Sequence, residues 1–173
     1  VKYSPEGRLL WKTGYRGESW LRTRGDAIAV REDGQVYVLG QATTALQESV
    51  PQNKTRAILL QLNDLGGVCR EKDWGIEDMY ARPEHLRASA HTIAAVVGYR
   101  TYMGAAPYKS FRVLSAWPAA DFASPDCIHV GGESKEVFSY ALGADGRIYA
   151  DWCSQISHCS VRALNCSGKV LWT

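Results

Sequence analysis

The sequence contains no apolar run approaching the roughly 20 residues that a bilayer-spanning helix needs, so no membrane span is expected in it. Charge of one sign does not accumulate anywhere. The 20 basic and 18 acidic residues leave a formal net charge of +2, without the basic stripe of a nucleic-acid-binding surface. Gly-x-Ser-x-Gly, Walker-type and Gly-x-Gly-x-x-Gly patterns are absent, which removes the nucleophile elbow, the phosphate-cradling loop and the dinucleotide fingerprint. The first residues, Val1-Lys2-Tyr3-Ser4-Pro5-Glu6, carry no apolar core of a secretory leader. Methionine is scarce, with two residues, and no two of the five cysteines are adjacent.

What is present favours strands and turns. Sixteen glycines and nine tyrosines accompany a 46% hydrophobic, 22% charged composition, that of an ordinary globular chain long enough to bury a core. Three segments align as short apolar run, turn, second run: Ala27 to Gly40, Thr92 to Gly104, and Phe138 to Ala150. Asp33-Gly34 and Asp145-Gly146 are turn dipeptides flanked by β-branched and aromatic residues, a strong hairpin signal. In the middle copy the turn is assigned to Gly98. The tyrosines that follow, Tyr37, Tyr102 and Tyr149, serve as markers.

A second strand pair follows each hairpin. Ala57 to Leu62 leads through Asn63-Asp64-Leu65-Gly66-Gly67 to Val68, and Ser160 to Leu164 leads through Asn165-Cys166-Ser167-Gly168 to Trp172. Gly7-Arg8-Leu9-Leu10-Trp11 is nearly repeated at Gly168-Lys169-Val170-Leu171-Trp172. The chain thus reads as one all-β repeat domain, with a half unit at 1–15 and whole units at about 26–72, 91–130 and 136–173. Polar insertions are expected around Gln47 to Thr55 and from Asp73 to Ser89, the latter with a short helix around Pro83 to Ala88. A unit of this kind cannot bury both faces alone, so neighbours must stack on it. Trp11, Tyr37, Tyr102, Tyr149 and Trp172 are the expected packing residues between units.

The pattern of apolar strand, Asp-Gly, Val-Tyr-Val-x-Gly, then Leu-Asn-x-x-Gly-x-x-x-Trp resembles the PQQ-like and bacterial SBBP-type β-propeller repeats. The likeness covers roughly Tyr3 to Lys72 and Val137 to Trp172. It implies propeller blades of four antiparallel strands, in an incomplete or atypical propeller of about three and a half blades. Quinoprotein dehydrogenases share such repeats, but the adjacent cysteines of their cofactor site are missing, so no cofactor is expected.

Other chemistry is weighed on spacing. Cys153, His158, Cys159 and Cys166 cluster near the C-terminus, yet their gaps depart from the paired spacing of zinc sites. Adjacent His158 and Cys159 would face opposite sides of a strand. Free, half-buried thiols acting as small hydrophobes are the first expectation for the five cysteines. A disulfide between Cys153 and Cys159 is favoured over a metal site if the protein leaves the cytosol. Cys127-Ile128-His129 offers a thiol and an imidazole without a visible orienting group or oxyanion hole. Arg22, Arg24 and Arg31 beside Trp20 would suit phosphate or carbohydrate, although Asp26 and Glu32 dilute the charge. Asn53-Lys54-Thr55 and Asn165-Cys166-Ser167 match the glycosylation pattern, too short to locate the protein.

The sequence therefore points to a non-catalytic structural or protein-interaction module. Protein subunits are its expected partners and a glycan a further class, in a setting such as a virion or cell-surface complex rather than the cytoplasm. The alternative is a metal-binding or hydrolytic domain using the C-terminal Cys/His group.

Overall fold

The computed structural model describes residues 1–17, 20–44, 55–76, 79–101, 109–121, 128–131, 136–154, 158–165 and 169–173. Among these the chain is all-β, and its sheets are antiparallel apart from one residue pair. A hairpin of β1 (Lys2–Tyr3) and β2 (Leu9–Trp11) comes first. Three four-stranded meanders follow. The first unit is β3 (Trp20–Val30), β4 (Val36–Thr44), β5 (Thr55–Leu62) and β6 (Val68–Trp74). The second is β7 (Met79–Ala88), β8 (Thr92–Thr101), β9 (Ser110–Pro118) and β10 (Ile128–Gly131). The third is β11 (Glu136–Leu142), β12 (Ile148–Ser154), β13 (His158–Leu164) and β14 (Val170–Trp172). A single parallel pair, Thr55 with Tyr80, joins the first two units into one sheet.

One turn geometry recurs along the chain. In Ser4 to Arg8, Arg31 to Gln35, Asn63 to Gly67 and Gly143 to Arg147, the first amide donates to the fifth carbonyl. The fourth residue, a glycine each time, donates to the first carbonyl. Gly7, Gly34, Gly66 and Gly146 all have φ between 81° and 85°, which a side chain would make costly. Asp33 and Asp145 fix their turns by accepting the amides of Gln35 and Arg147 through their Oδ1 atoms.

The second unit departs from the sequence reading. Gly98 is not a turn; it lies inside the unbroken strand β8. The hairpin turn is at Ser89 to His91, where the Ser89 amide donates to the Thr92 carbonyl. Pro83 to Ala88, expected as a short helix, belongs to strand β7, which alternates buried Met79, Ala81, Pro83 and Leu86 with more open residues. Proline is accommodated there because the β7–β8 register shifts between Pro83 and His85, a bulge that relieves the ladder of one amide.

Aligning the turns gives the true repeat. Val36, Ile93 and Ile148 stand at the start of the second strand of each unit, 57 and then 55 residues apart, and all three are buried. Tyr37 then corresponds to Ala94 and Tyr149. We call the face of Tyr37 and Leu39 the front of the first unit. It packs on Ile93, Ala95 and Trp117 of the second, with Trp74 edge-on to Trp117 at 4.8 Å. Ala57 of the same front meets Val97 and Val113. On the opposite side of the second unit, Ala94, Val96, Leu114 and Ala116 pack on Val137, Tyr140, Ile148 and Ala150. Ala94 and Val96 occupy the places of Tyr37 and Leu39, and Ile148 and Ala150 those of Ile93 and Ala95. The same relation therefore recurs, front of one unit on back of the next.

Tyr140 pins the second such junction by donating its hydroxyl to the Ala94 carbonyl at 2.5 Å. Burial pushes its phenol well above the ordinary value, against an opposing pull from Arg87. Because the folded group holds its proton more tightly than the unfolded one, its contribution is complete below the unfolded value of about 10. That contribution is lost as pH rises through the folded value. Urea denaturation should show stability falling above about pH 10. Tyr140→Phe should flatten that fall while costing about 1 kcal/mol at pH 8 for the lost hydrogen bond. Identical alkaline profiles for the two proteins would remove Tyr140 from this role.

Candidate functional site

Front-to-back stacking leaves two end faces, the front of the third unit and the back of the first. The front of the third unit carries Ala141, Tyr149, Ala163 and Trp172, which stand opposite one another across β11 to β14. Asp151 and Val161 extend the row. Tyr149 is only half-buried, whereas its counterpart Tyr37 is fully buried beneath the second unit. Trp172 is 50% exposed, its ring 6.1 Å from that of Tyr149.

The place of Trp172 in its hairpin is instructive. Lys2 pairs with Trp11 and Tyr3 with Leu9; Gln61 pairs with Arg70 and Leu62 with Val68; Ala163 pairs with Trp172 and Leu164 with Val170. All three hairpins show the same one-residue shift, so Trp11, Arg70 and Trp172 are equivalent. Arg70 crosses to the second unit, donating from Nη1 to the Ala120 carbonyl at 3.1 Å, in the segment just after β9. Trp11 lies against Gly66 of the first unit, in the turn just after β5, where an added Cβ would come within 2.7 Å of the ring. Two of the three equivalent residues thus reach one place on the next unit. Trp172 has no described unit to reach.

The back of the first unit is half covered. Trp11 and Tyr15 pack on Val36, Ile58, Leu60 and Leu62, while Ile28 and Val30 on β3 remain 61% and 59% exposed. Between the N-terminal segment and this face lies a cavity of about 380 Å³ bordered by Trp11, Tyr15, Arg24, Ile28 and Val38. Tyr15 donates its hydroxyl to Glu71, and burial together with that carboxylate raises its phenol above the ordinary value. Through that hydrogen bond it tethers the N-terminal segment to β6.

The other residues singled out in the sequence do not converge. Cys153 is disulfide-bonded and Cys159 stands opposite it in the ladder, so the Cys153 sulfur is not available as a zinc thiolate. His158 and Cys159 lie on β13, with side chains outside the described residues, as are Cys166, Cys127 and Tyr102. Among the described residues no group of His, Cys, Asp and Glu could hold a metal, and Cys69 is an exposed free thiol. Arg24 pairs with Asp26 at 2.7 Å and Arg31 with Asp33, so their charge is answered locally. Trp20 turns its Nε1 to Glu71 at 3.4 Å. No helix among the described residues is long and apolar enough to cross a membrane. No protein-family model matches the chain, and no curated protein matches it in sequence.

Sequence reading misses the end faces as sites because their residues look like core. The signal that could have found them is the near-identity of the Trp11 and Trp172 hairpins. Equivalent tyrosines should therefore differ in cost. In dilute protein Tyr37→Ala should lose about 3–5 kcal/mol and Tyr149→Ala about 1 kcal/mol, read from denaturant midpoints. Equal losses would mean that the third front is covered in solution.

Proposed function

We propose that this chain is a non-catalytic structural or protein-interaction module whose units are β-propeller-like blades. In this reading it serves as a subunit of a larger assembly such as a virion or cell-surface complex. The observation that carries the reading is the front-to-back stack, in which both end faces expose apolar side chains: Ile28 and Val30 at one end, Val161 and Trp172 at the other. Exposed apolar surface of this kind marks interaction sites. A contact between unlike faces builds rings or open arrays rather than isolated pairs. The resemblance of the Asp-Gly hairpins and the Leu-Asn-x-x-Gly-x-x-x-Trp segment to PQQ-like and SBBP-type repeats supports the propeller assignment. That likeness also fits an array of about three and a half blades needing further subunits.

The disulfide at Cys153 favours an oxidising setting over the cytoplasm. Light scattering across a dilution series tests the reading. The expected result is a mass that rises with concentration through multiples of the single chain. The mass of one chain at every concentration would overturn assembly as the role.

A further inference from the structure

The β1–β2 hairpin and the β13–β14 hairpin are two versions of one docking element, and only the first has something to dock on among the described residues. They share the bulge, the amide-to-carbonyl bond that flanks the turn (Ser4 to Arg8, Asn165 to Lys169) and the sequence Gly-basic-apolar-Leu-Trp, from Gly7 to Trp11 and from Gly168 to Trp172. The first lies on the back of the first unit, Trp11 seated at Gly66 and the neighbouring Thr13 hydroxyl donating to the Gly66 carbonyl at 2.6 Å. We propose that this seat is shared: the front of the third unit of a second copy docks on the back of the first unit, Trp172 replacing Trp11 at Gly66 and displacing the β1–β2 hairpin. The proposal rests on the assembly reading above and names its partner and its interface.

Three observations commit the occupant to a second copy. The chain makes the front-to-back junction twice within itself, and its third front repeats part of that pattern, with Tyr149 in the place of Tyr37, Val161 and Trp172 exposed beside it and Asp151 in the place of Leu39. The back of the first unit is the one back that no whole unit covers among the described residues. The displaced hairpin covers the β5 side and leaves Ile28 and Val30 of β3 open, alongside the 380 Å³ cavity. An incoming four-stranded unit would cover both sides, burying apolar area that the hairpin cannot reach.

Equivalent tryptophans must then have opposite effects, which no purely structural role produces. In the 173-residue chain, Trp172→Ala should weaken self-association at least tenfold, as expected of a central aromatic anchor. Trp11→Ala should strengthen it severalfold by releasing the hairpin. The double variant Trp11→Ala/Trp172→Ala should fail to self-associate yet capture labelled wild-type chain, because its acceptor face is intact. Sedimentation velocity reads all three, and circular dichroism checks that each variant keeps the wild-type strand signal. Should Trp11→Ala not fold, Val161→Glu on the third front keeps the test alive, since a charge placed there must also weaken association. Wild-type association unchanged by any substitution would leave assembly standing and overturn this interface. A double variant that binds an unrelated protein but no wild-type chain would overturn it as well. A wild-type chain that stays single while Trp11→Ala associates would support the interface and withdraw assembly from the intact protein.

Discussion

A four-stranded antiparallel unit with apolar residues on both faces cannot stand alone in water, and that constraint governs the rest of this structure. Strand β8 of the second unit buries alternate residues in opposite directions: Ile93, Ala95 and Val97 one way, Ala94 and Val96 the other. A single missing neighbour would return one of these rows to solvent, at roughly 25 cal/mol for every Å² of apolar surface. The second unit is satisfied because it has a neighbour on each side. The first and third units each have one whole neighbour among the described residues, so the free energy that stacking supplies to the centre is incomplete at both ends. The N-terminal hairpin makes up part of that deficit at one end only.

Specificity in the stack comes from a small number of polar contacts laid over the apolar ones. Tyr140 to the Ala94 carbonyl, Thr92 to the Gly146 carbonyl and Arg70 to the Ala120 carbonyl each satisfy a backbone oxygen of an adjoining unit. Apolar faces alone would tolerate sliding, since packing area changes little when one sheet shifts over another. A donor aimed at one carbonyl fixes the register. Trp11 works differently, through shape, because glycine at position 66 leaves a recess that any side chain would fill. Gly66 is doubly constrained, with φ at 82° for its turn and an aromatic ring against it.

Much of this is legible in the sequence, and the failures have physical causes. Asp33-Gly34 and Asp145-Gly146 announce their turns because glycine at positive φ preceded by a side-chain acceptor is hard to replace. The middle turn, Ser89-Ala90-His91, escapes a search for that glycine because a shorter turn dispenses with it, and Gly98 within a strand then draws the assignment instead. Glu84 to Ala88 carries helix-favouring residues, yet the β7–β8 ladder overrides local preference. The marker tyrosine has no counterpart in the middle copy because Tyr140 of the next unit fills the space above Ala94. The end faces escape notice for a deeper reason: a residue type suited to burial does not reveal whether its partner lies in the same chain.

The balance between hairpin and second copy follows from concentration rather than from contact chemistry. Both ligands bring an equivalent tryptophan to the same seat, so the contact made there differs little between them. The β1–β2 hairpin is tethered to the first unit by a short connection, which gives it an effective concentration of order millimolar. A free second copy competes with the hairpin as concentration rises toward that level, in the upper part of a dilution series or on a growing assembly. What tips the exchange is the additional surface over β3 that four strands cover and two do not. An unlike-face contact has no intrinsic stopping point. The tethered hairpin therefore keeps dilute chains apart, and it yields wherever copies are held close together.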